Sequence, residues 1–162
     1  RLDDDAIKGA WDLKVFGFVG LTREIYPRMC KRGSGVIVNV IGMAGERPRA
    51  AYIAGSMGNA ALMQLTRALG AESLDHGVRV VGINPGPIET ERLVSQAKIN
   101  ADMEFGDENR WRETHKSLPG GRPGLPEEMG WLAAYLASAR ASWISGTVIM
   151  ADGGQHSRSA RA

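Results

Sequence analysis

Val36-Ile37-Val38-Asn39-Val40-Ile41, then an Ala-, Leu- and Met-rich segment from Tyr52 to about Ser73, then Val78-Arg79-Val80-Val81-Gly82-Ile83 running into Asn84-Pro85-Gly86-Pro87-Ile88-Glu89-Thr90: this stretch decides the fold. Two β-branched apolar runs of strand length joined by a helix-length crossover are the pattern of parallel strands, which require such a crossover and are buried on both faces. A polar loop, Glu46 to Arg49 with Pro48, leads into the helix, and Asp75-His76-Gly77 ends it. In this architecture ligands sit beyond the carboxyl ends of the strands, which here are Ile41-Gly42 and Pro85-Gly86.

Outward from that stretch the pattern continues on both sides. Asp3, Asp4 and Asp5 place negative charge where a helix N-terminus favours it, and Ala6, Ala10, Leu13 and Gly17 recur at helical spacing, predicting a helix to about Met29 with Pro27 near its end. Lys31 to Gly35 is a turn. Pro126-Glu127-Glu128 starts a helix through about Ala137, and Thr147 to Ala151 is a third strand. The span from Glu89 to Arg122 mixes short helical patterns with polar residues and does not divide. Asp152-Gly153-Gly154 turns the chain out, and Gln155 to Ala162 reads as a frayed tail. The order helix, strand, helix, strand, helix, strand predicts an α/β fold of three parallel strands with right-handed crossovers and helices on both faces. The strand from Val36 to Ile41 reads as central, yet nothing upstream can pair with one of its edges. With the start at Arg1, this leads to the expectation that N-terminal strands are missing. Residues 1–154 would then be the C-terminal part of one domain, and 155–162 a tail.

The 162 residues, 43% hydrophobic, suffice for one folding unit with a real core. Lys and Arg number 20 against 18 Asp and Glu, a net charge of +2 without a basic stripe interleaved with aromatics, which argues against nucleic acid as a partner. A single cysteine, Cys30, forms no internal disulfide and fits a reducing cytoplasm. No apolar run approaches membrane-spanning length. His76, His115 and His156 lack metal-ligand spacing, so no metal site is expected.

No G-x-G-x-x-G follows a strand and opens a helix, so the sequence lacks the pyrophosphate-binding half of a dinucleotide site. Gly33-Ser34-Gly35 precedes its strand, while Gly17, Gly20, Gly55 and Gly58 lie in helical patterns and permit close packing. Tyr52 opens its helix, and at about 100° per residue Ser56 and Asn59 fall within roughly 40° of it on one face. Arg47 and Arg49 read as solvated loop charges or contacts for an anionic substrate. Trp111, Met103 and Phe105 read as lining of an apolar pocket or as anchors of an irregular segment.

Val38-Asn39-Val40-Ile41-Gly42-Met43-Ala44-Gly45, Tyr52 with its Ala-rich helix, and Val80 through Thr90 together resemble the short-chain dehydrogenase/reductase family. The resemblance extends through Arg122-Pro123-Gly124-Leu125-Pro126-Glu127-Glu128 to Ser145-Gly146-Thr147 and Met150-Ala151-Asp152-Gly153-Gly154. It implies a Rossmann-like three-layer fold without its N-terminal strands and glycine-rich loop. It also implies NAD- or NADP-dependent hydride transfer to or from a secondary alcohol or ketone, and a homo-dimer or homo-tetramer built on the helices of Lys8 to Met29 and Tyr52 to Ser73. Tyr52 matches the family's proton-transfer tyrosine; Pro85, Gly86, Ile88 and Thr90 match the loop at the nicotinamide end of the cofactor. Gly82 and Asn84 are read as shaping the strand end.

Three catalytic positions depart from the pattern. Gly42 stands where the family has serine, Ser56 where it has lysine, and Lys14 where it has asparagine. Free tyrosine, with a pKa near 10, is a poor base at neutral pH. A positive charge about 6 Å away at an effective dielectric near 20 favours the phenolate by roughly 3 kcal/mol, about two pKa units. Lys14 is therefore expected to supply from the facing helix the charge that Ser56 lacks. The rival reading is a catalytically silent scaffold that associates through the same two helices. This chain alone is expected to bind cofactor weakly or not at all.

Overall fold

A computed structural model of the protein describes residues 3–158. Asp3 caps the first helix, its Oδ1 accepting from the Ala6 N–H at 2.9 Å. Helix α1 spans Asp4–Trp11, a π-helical turn covers Asp12–Phe16, and α2 runs from Gly17–Arg32. The helical run is longer than the expected end at Met29. It carries Pro27 inside it and stops at Gly33, whose φ of +70° gives a left-handed cap on the Met29 and Cys30 carbonyls. Strand β1 is Gly35–Val40, α3 is Ile53–Glu72, and β2 is Val78–Pro85. The span that sequence patterning leaves undivided holds α4, Glu91–Phe105, and 3-10 turns at Glu108–His115 and Pro119–Gly121. Helix α5 is Pro126–Ala137 and strand β3 is Val148–Ala151.

The three strands are parallel in the order β1-β2-β3, registered Gly35 with Val78 through Val40 with Ile83, and Gly82 with Val148 through Pro85 with Ala151. Alternation along β2 divides the core between the faces. Val81 and Ile83 pack with Leu136 of α5, whereas Val78 and Val80 pack with Ile37 under Ile25, Met29 and Leu69 of α2 and α3. Every residue of β2 from Val78 to Asn84 is buried, as expected of a strand covered on both faces. Full burial of side chains such as Leu62, Ile83 and Leu136 stabilises the fold by about 1.5–3 kcal/mol each.

Arg79 breaks the apolar run of β2 without harm to it. Its guanidinium is buried and donates to the carbonyls of Leu136 at 2.6 Å and Ser138 at 2.9 Å, so it closes the C-terminus of α5, where a positive charge is favoured.

Among the described residues only β2 pairs with β1, so one edge of β1 is free, as the sequence reading expects of a strand with no upstream partner in this chain. Ile37 and Asn39 are buried but Val40 is half exposed. An open apolar groove of about 960 Å³ runs along this edge, lined by Leu13, Phe18, Leu21, Ile25, Val36 and Val38 among others. The tail also differs from the frayed reading. Gln155–Ser157 form a 3-10 turn held by Asp152, while residues 159–162 lie outside the described part.

Candidate active site

The parallel order brings the carboxyl ends of β1 and β2 together, and two asparagines fix what lies there. Gly42, with φ of +126°, takes a conformation that favours glycine, and its N–H donates to Asn84 Oδ1 at 3.3 Å. The Asn59 Nδ2 donates to the Gly42 carbonyl at 3.1 Å. Both asparagines are buried, and Asn59 Oδ1 meets no hydrogen-bond donor among the described residues. Asn84 Nδ2 faces the sulfurs of Met63 and Met150 at 3.5 and 3.4 Å, which are weak acceptors. Asn84 therefore does more than shape its own strand end: it ties β2 to the loop after β1. A polar residue closing an apolar strand is the only sequence signal of that role.

Lys14 lies in the π turn, and its Nζ donates to the Ile41 carbonyl at 3.0 Å, next to Gly42. Burial, and secondarily the positive charge of Arg92, pushes the Lys14 ammonium below the usual lysine range. One turn earlier, the Trp11 Nε1–H donates to the Ala54 carbonyl at 2.9 Å, docking the π turn on the start of α3. Gly58 permits this approach, since a Cβ there would lie 3.1 Å from Val15 Cγ2 and 3.4 Å from Trp11 Nε1. Close packing at Gly58 and Gly55 agrees with the sequence reading, but Gly20 has nothing within 4 Å of a built Cβ and Gly17 only ordinary contacts.

Tyr52 is the residue before α3, closing a 3-10 turn, Ala50–Tyr52. The expected stripe of Tyr52, Ser56 and Asn59 does not form one network. Ser56 Oγ is buried and accepts from the Arg49 N–H at 3.4 Å, Asn59 serves Gly42, and the Tyr52 ring folds over Gly55. The 3-10 entry turn sets the tyrosine off the regular helical rotation, so spacing alone misplaces it.

The Pro85–Thr90 loop is anchored by backbone. Pro85 ends β2, the Gly86 N–H donates to the Ala151 carbonyl at 3.1 Å, and a Cβ on Gly86 would meet Asp152 Cβ at 2.8 Å. Ile88 pairs with Gly124 in a parallel bridge through its neighbours, Gly124 N–H to the Pro87 carbonyl at 2.9 Å and Glu89 N–H to the Gly124 carbonyl at 2.8 Å. Its own N–H meets no acceptor among the described residues. Thr90 caps α4, its Oγ1 accepting from the Leu93 N–H at 3.3 Å. A free backbone donor on a rigid loop at a strand end, with a glycine no side chain could replace, suits the amide end of a nicotinamide. Pro85, Gly86, Ile88 and Thr90, the residues that the resemblance assigns to the nicotinamide end of a cofactor, thus have a chemistry that fits that group.

On the far rim, Asp152 Oδ2 accepts from the His156 backbone N–H at 2.7 Å and faces His156 Nδ1 at 3.0 Å, a pairing not read from the sequence. Arg47 Nη1 donates to the Gln155 carbonyl at 2.7 Å and Arg158 Nη1 to the Ser117 carbonyl at 3.1 Å. Arg47 is therefore a tie between the loop after β1 and the C-terminal turn rather than a freely solvated charge. Trp111 packs with Ala97 and Ala101 in a small separate core bordered by Phe105, so both are anchors, while Met103 is exposed. Among the described residues no three His, Cys, Asp or Glu side chains converge as metal ligands, and no helix is long and apolar enough to cross a membrane.

Comparison with known proteins agrees with this geometry. A family model described as enoyl-(acyl carrier protein) reductase matches residues 1–156. The 7alpha-hydroxysteroid dehydrogenase of Escherichia coli K12 is 32% identical over 145 residues, covering 90% of this chain and 53% of that protein. Galactitol 2-dehydrogenase (L-tagatose-forming) of Cereibacter sphaeroides is 34% identical over 157 residues, covering 94% of this chain and 58% of that protein. The crystal structure of L-sorbose reductase from Gluconobacter frateurii, complexed with NADPH and L-sorbose, superposes with a TM-score of 0.88 at 28% identity, covering 98% of this chain and 61% of that one. The chain belongs to the short-chain dehydrogenase/reductase family of oxidoreductases. It spans about half the length of its E. coli relative.

Proposed function

We propose that the protein is an NAD(P)-dependent oxidoreductase that interconverts a secondary alcohol and a ketone, with Tyr52 as acid/base and Lys14 supplying a positive charge at the strand end. The observation that carries this reading is the Lys14 ammonium held at the Ile41 carbonyl, next to Gly42 at the end of β1. When bound, the nicotinamide supplies or accepts the hydride at carbon. The proton at the substrate oxygen belongs to Tyr52, given in reduction and taken in oxidation. The Gly42 N–H is already committed to Asn84, so it is not the donor that replaces the family's serine. Ile88, with its free N–H, orients the cofactor amide, and Thr90 and Gly86 keep that loop in place.

The nicotinamide-bearing relatives support the cofactor class, and the sugar alcohol, sugar and bile acid names among the comparisons support a small-molecule substrate. We also propose that residues 1–154 complement a preceding segment which supplies the pyrophosphate site and pairs with the free edge of β1 along its apolar groove. Ile53 and Met57, exposed one turn apart on α3, support association of two copies across that helix. The test is turnover of ketones with NADH and NADPH by the protein extended upstream through a glycine-rich turn. Tyr52→Phe should retain cofactor binding and lose at least 100-fold in kcat. Equal turnover by Tyr52→Phe contradicts the assignment.

A further inference from the structure

The turn after β3 places a carboxylate, an imidazole and a hydroxyl in one hydrogen-bonded line. Asp152 Oδ1 accepts from the Gly154 N–H at 2.9 Å, while its Oδ2 accepts from the His156 N–H at 2.7 Å and lies 3.0 Å from His156 Nδ1. Across the ring, His156 Nε2 lies 3.0 Å from Ser157 Oγ. An ionised carboxylate only accepts, so the neutral imidazole carries its proton on Nδ1 and presents Nε2 as acceptor of the Ser157 hydroxyl proton. Backbone bonds hold this register: the Gln155 N–H donates to the Asp152 carbonyl and the Ser157 N–H to the Gly154 carbonyl, both at 3.2 Å. The Asp152 side chain is 2% exposed, whereas His156 and Ser157 are exposed, so the line runs from a buried carboxylate to a hydroxyl open to solvent.

We propose that Ser157 is a nucleophilic serine that takes an acyl group from small activated carboxylic esters, with His156 as its general base and Asp152 as the residue that orients the imidazole. This activity is separate from the hydride transfer proposed above and does not involve Tyr52 or Lys14. Ser157 Oγ bonds to the acyl carbon as its proton passes to His156 Nε2; the bond from that carbon to the leaving oxygen breaks, and the proton follows the leaving group. Water, giving a proton to the same Nε2, then attacks the acyl carbon, releases the carboxylic acid and restores the hydroxyl. Arg47 and Arg158, bonded to the Gln155 and Ser117 carbonyls, bring two guanidinium charges to this turn, and neither pairs with a carboxylate among the described residues. Positive charge there favours the oxyanion that forms on the acyl group. Ser157 stands in the open, so an ester is selected by its reactivity rather than its shape.

The test uses p-nitrophenyl acetate on the upstream-extended protein, quenched in acid and mapped by mass spectrometry. An acetyl ester should form on Ser157 at least tenfold faster than on any other serine, and His156→Gln should remove that advantage. The imidazole tautomer gives a second readout that a merely structural role for Asp152 would not move. Long-range ¹H–¹⁵N spectra, with the His156 signals identified by their absence in His156→Gln, should show the proton on Nδ1. In Asp152→Asn the amide donates to Nδ1, so the proton should move to Nε2, and acetylation of Ser157 should fall at least tenfold because Nε2 no longer accepts. Acetylation of Ser157 no faster than of other serines overturns the proposal. So does acetyl on the His156 ring with Ser157 unlabelled, or a wild-type imidazole protonated on Nε2 alone. If Asp152→Asn does not fold, the wild-type tautomer and the labelling of His156→Gln decide.

Discussion

The Asn84 side chain, wholly buried at the end of β2, accepts the Gly42 N–H across a separation of 42 residues. That single bond joins the two strand ends that frame the candidate site, and it holds the Gly42 peptide in place there. Asn84→Ala removes the acceptor and leaves the Gly42 N–H without a partner, a loss of about 1–3 kcal/mol. Urea unfolding followed by tryptophan fluorescence should show that loss as a lower midpoint at unchanged slope.

Arg79 makes a second prediction. Charged hydrogen bonds to the carbonyls of Leu136 and Ser138 close α5, and Arg79→Met keeps the apolar stem while removing both. The expected cost is about 2–4 kcal/mol, since buried carbonyls lose a charged donor. Arg79→Lys should recover part of it, because an ammonium cannot span both carbonyls as a guanidinium does.

Helical glycines should separate by what surrounds them. Gly20→Ala enters open space and should stabilise α2 by about 0.5–1 kcal/mol. Gly58→Ala gains the same helical preference but must displace Val15 and Trp11, and with them the π turn that carries Lys14. Its stability should fall below that of Gly20→Ala by more than about 1 kcal/mol, measured on the same denaturation curves.

Much of this was legible in the sequence, and the reasons are local. β1, α3, β2, α5 and β3 are apolar runs bounded by glycine, proline and polar turns, so local pattern and tertiary structure agree. The segment from Glu89 to Arg122 was opaque because α4 buries only small residues, Ala97 and Ala101, against Trp111, which leaves no apolar stripe to read. The π turn and the 3-10 entry to α3 rotate side chains off regular spacing, so the placement of Tyr52 relative to Ser56 and Asn59 was not legible from helical spacing. Asn84 with Gly42 and Asp152 with His156 are polar contacts whose meaning depends on partners that only the fold supplies.

Acid should destabilise the protein in two stages. Burial, only partly opposed by Glu89, holds His115 below its ordinary value of 6.5, so the unfolded chain takes up a proton that the folded one resists. That contribution is present above 6.5 and is lost as pH falls. For Asp152 burial is the largest influence and acts upward. The N–H groups of His156 and Gly154 and the His156 ring together outweigh it and hold the carboxyl below 3.8. Its contribution is present above that value and disappears at still lower pH. Unfolding midpoints against pH should show a first decline beginning near 6.5 that is absent in His115→Gln, and a second below about 4 that is weakened in Asp152→Asn.

The central claim is that the positive charge serving Tyr52 comes from the π turn rather than from α3, and kcat of Lys14→Met in the upstream-extended protein tests it most directly. Removing a half-buried ammonium should leave the fold at least as stable, because the charge is disfavoured there. Oxidation at neutral pH should slow about 10- to 100-fold in Lys14→Met with cofactor binding retained. A Lys14→Met kcat equal to that of the wild type would contradict the account.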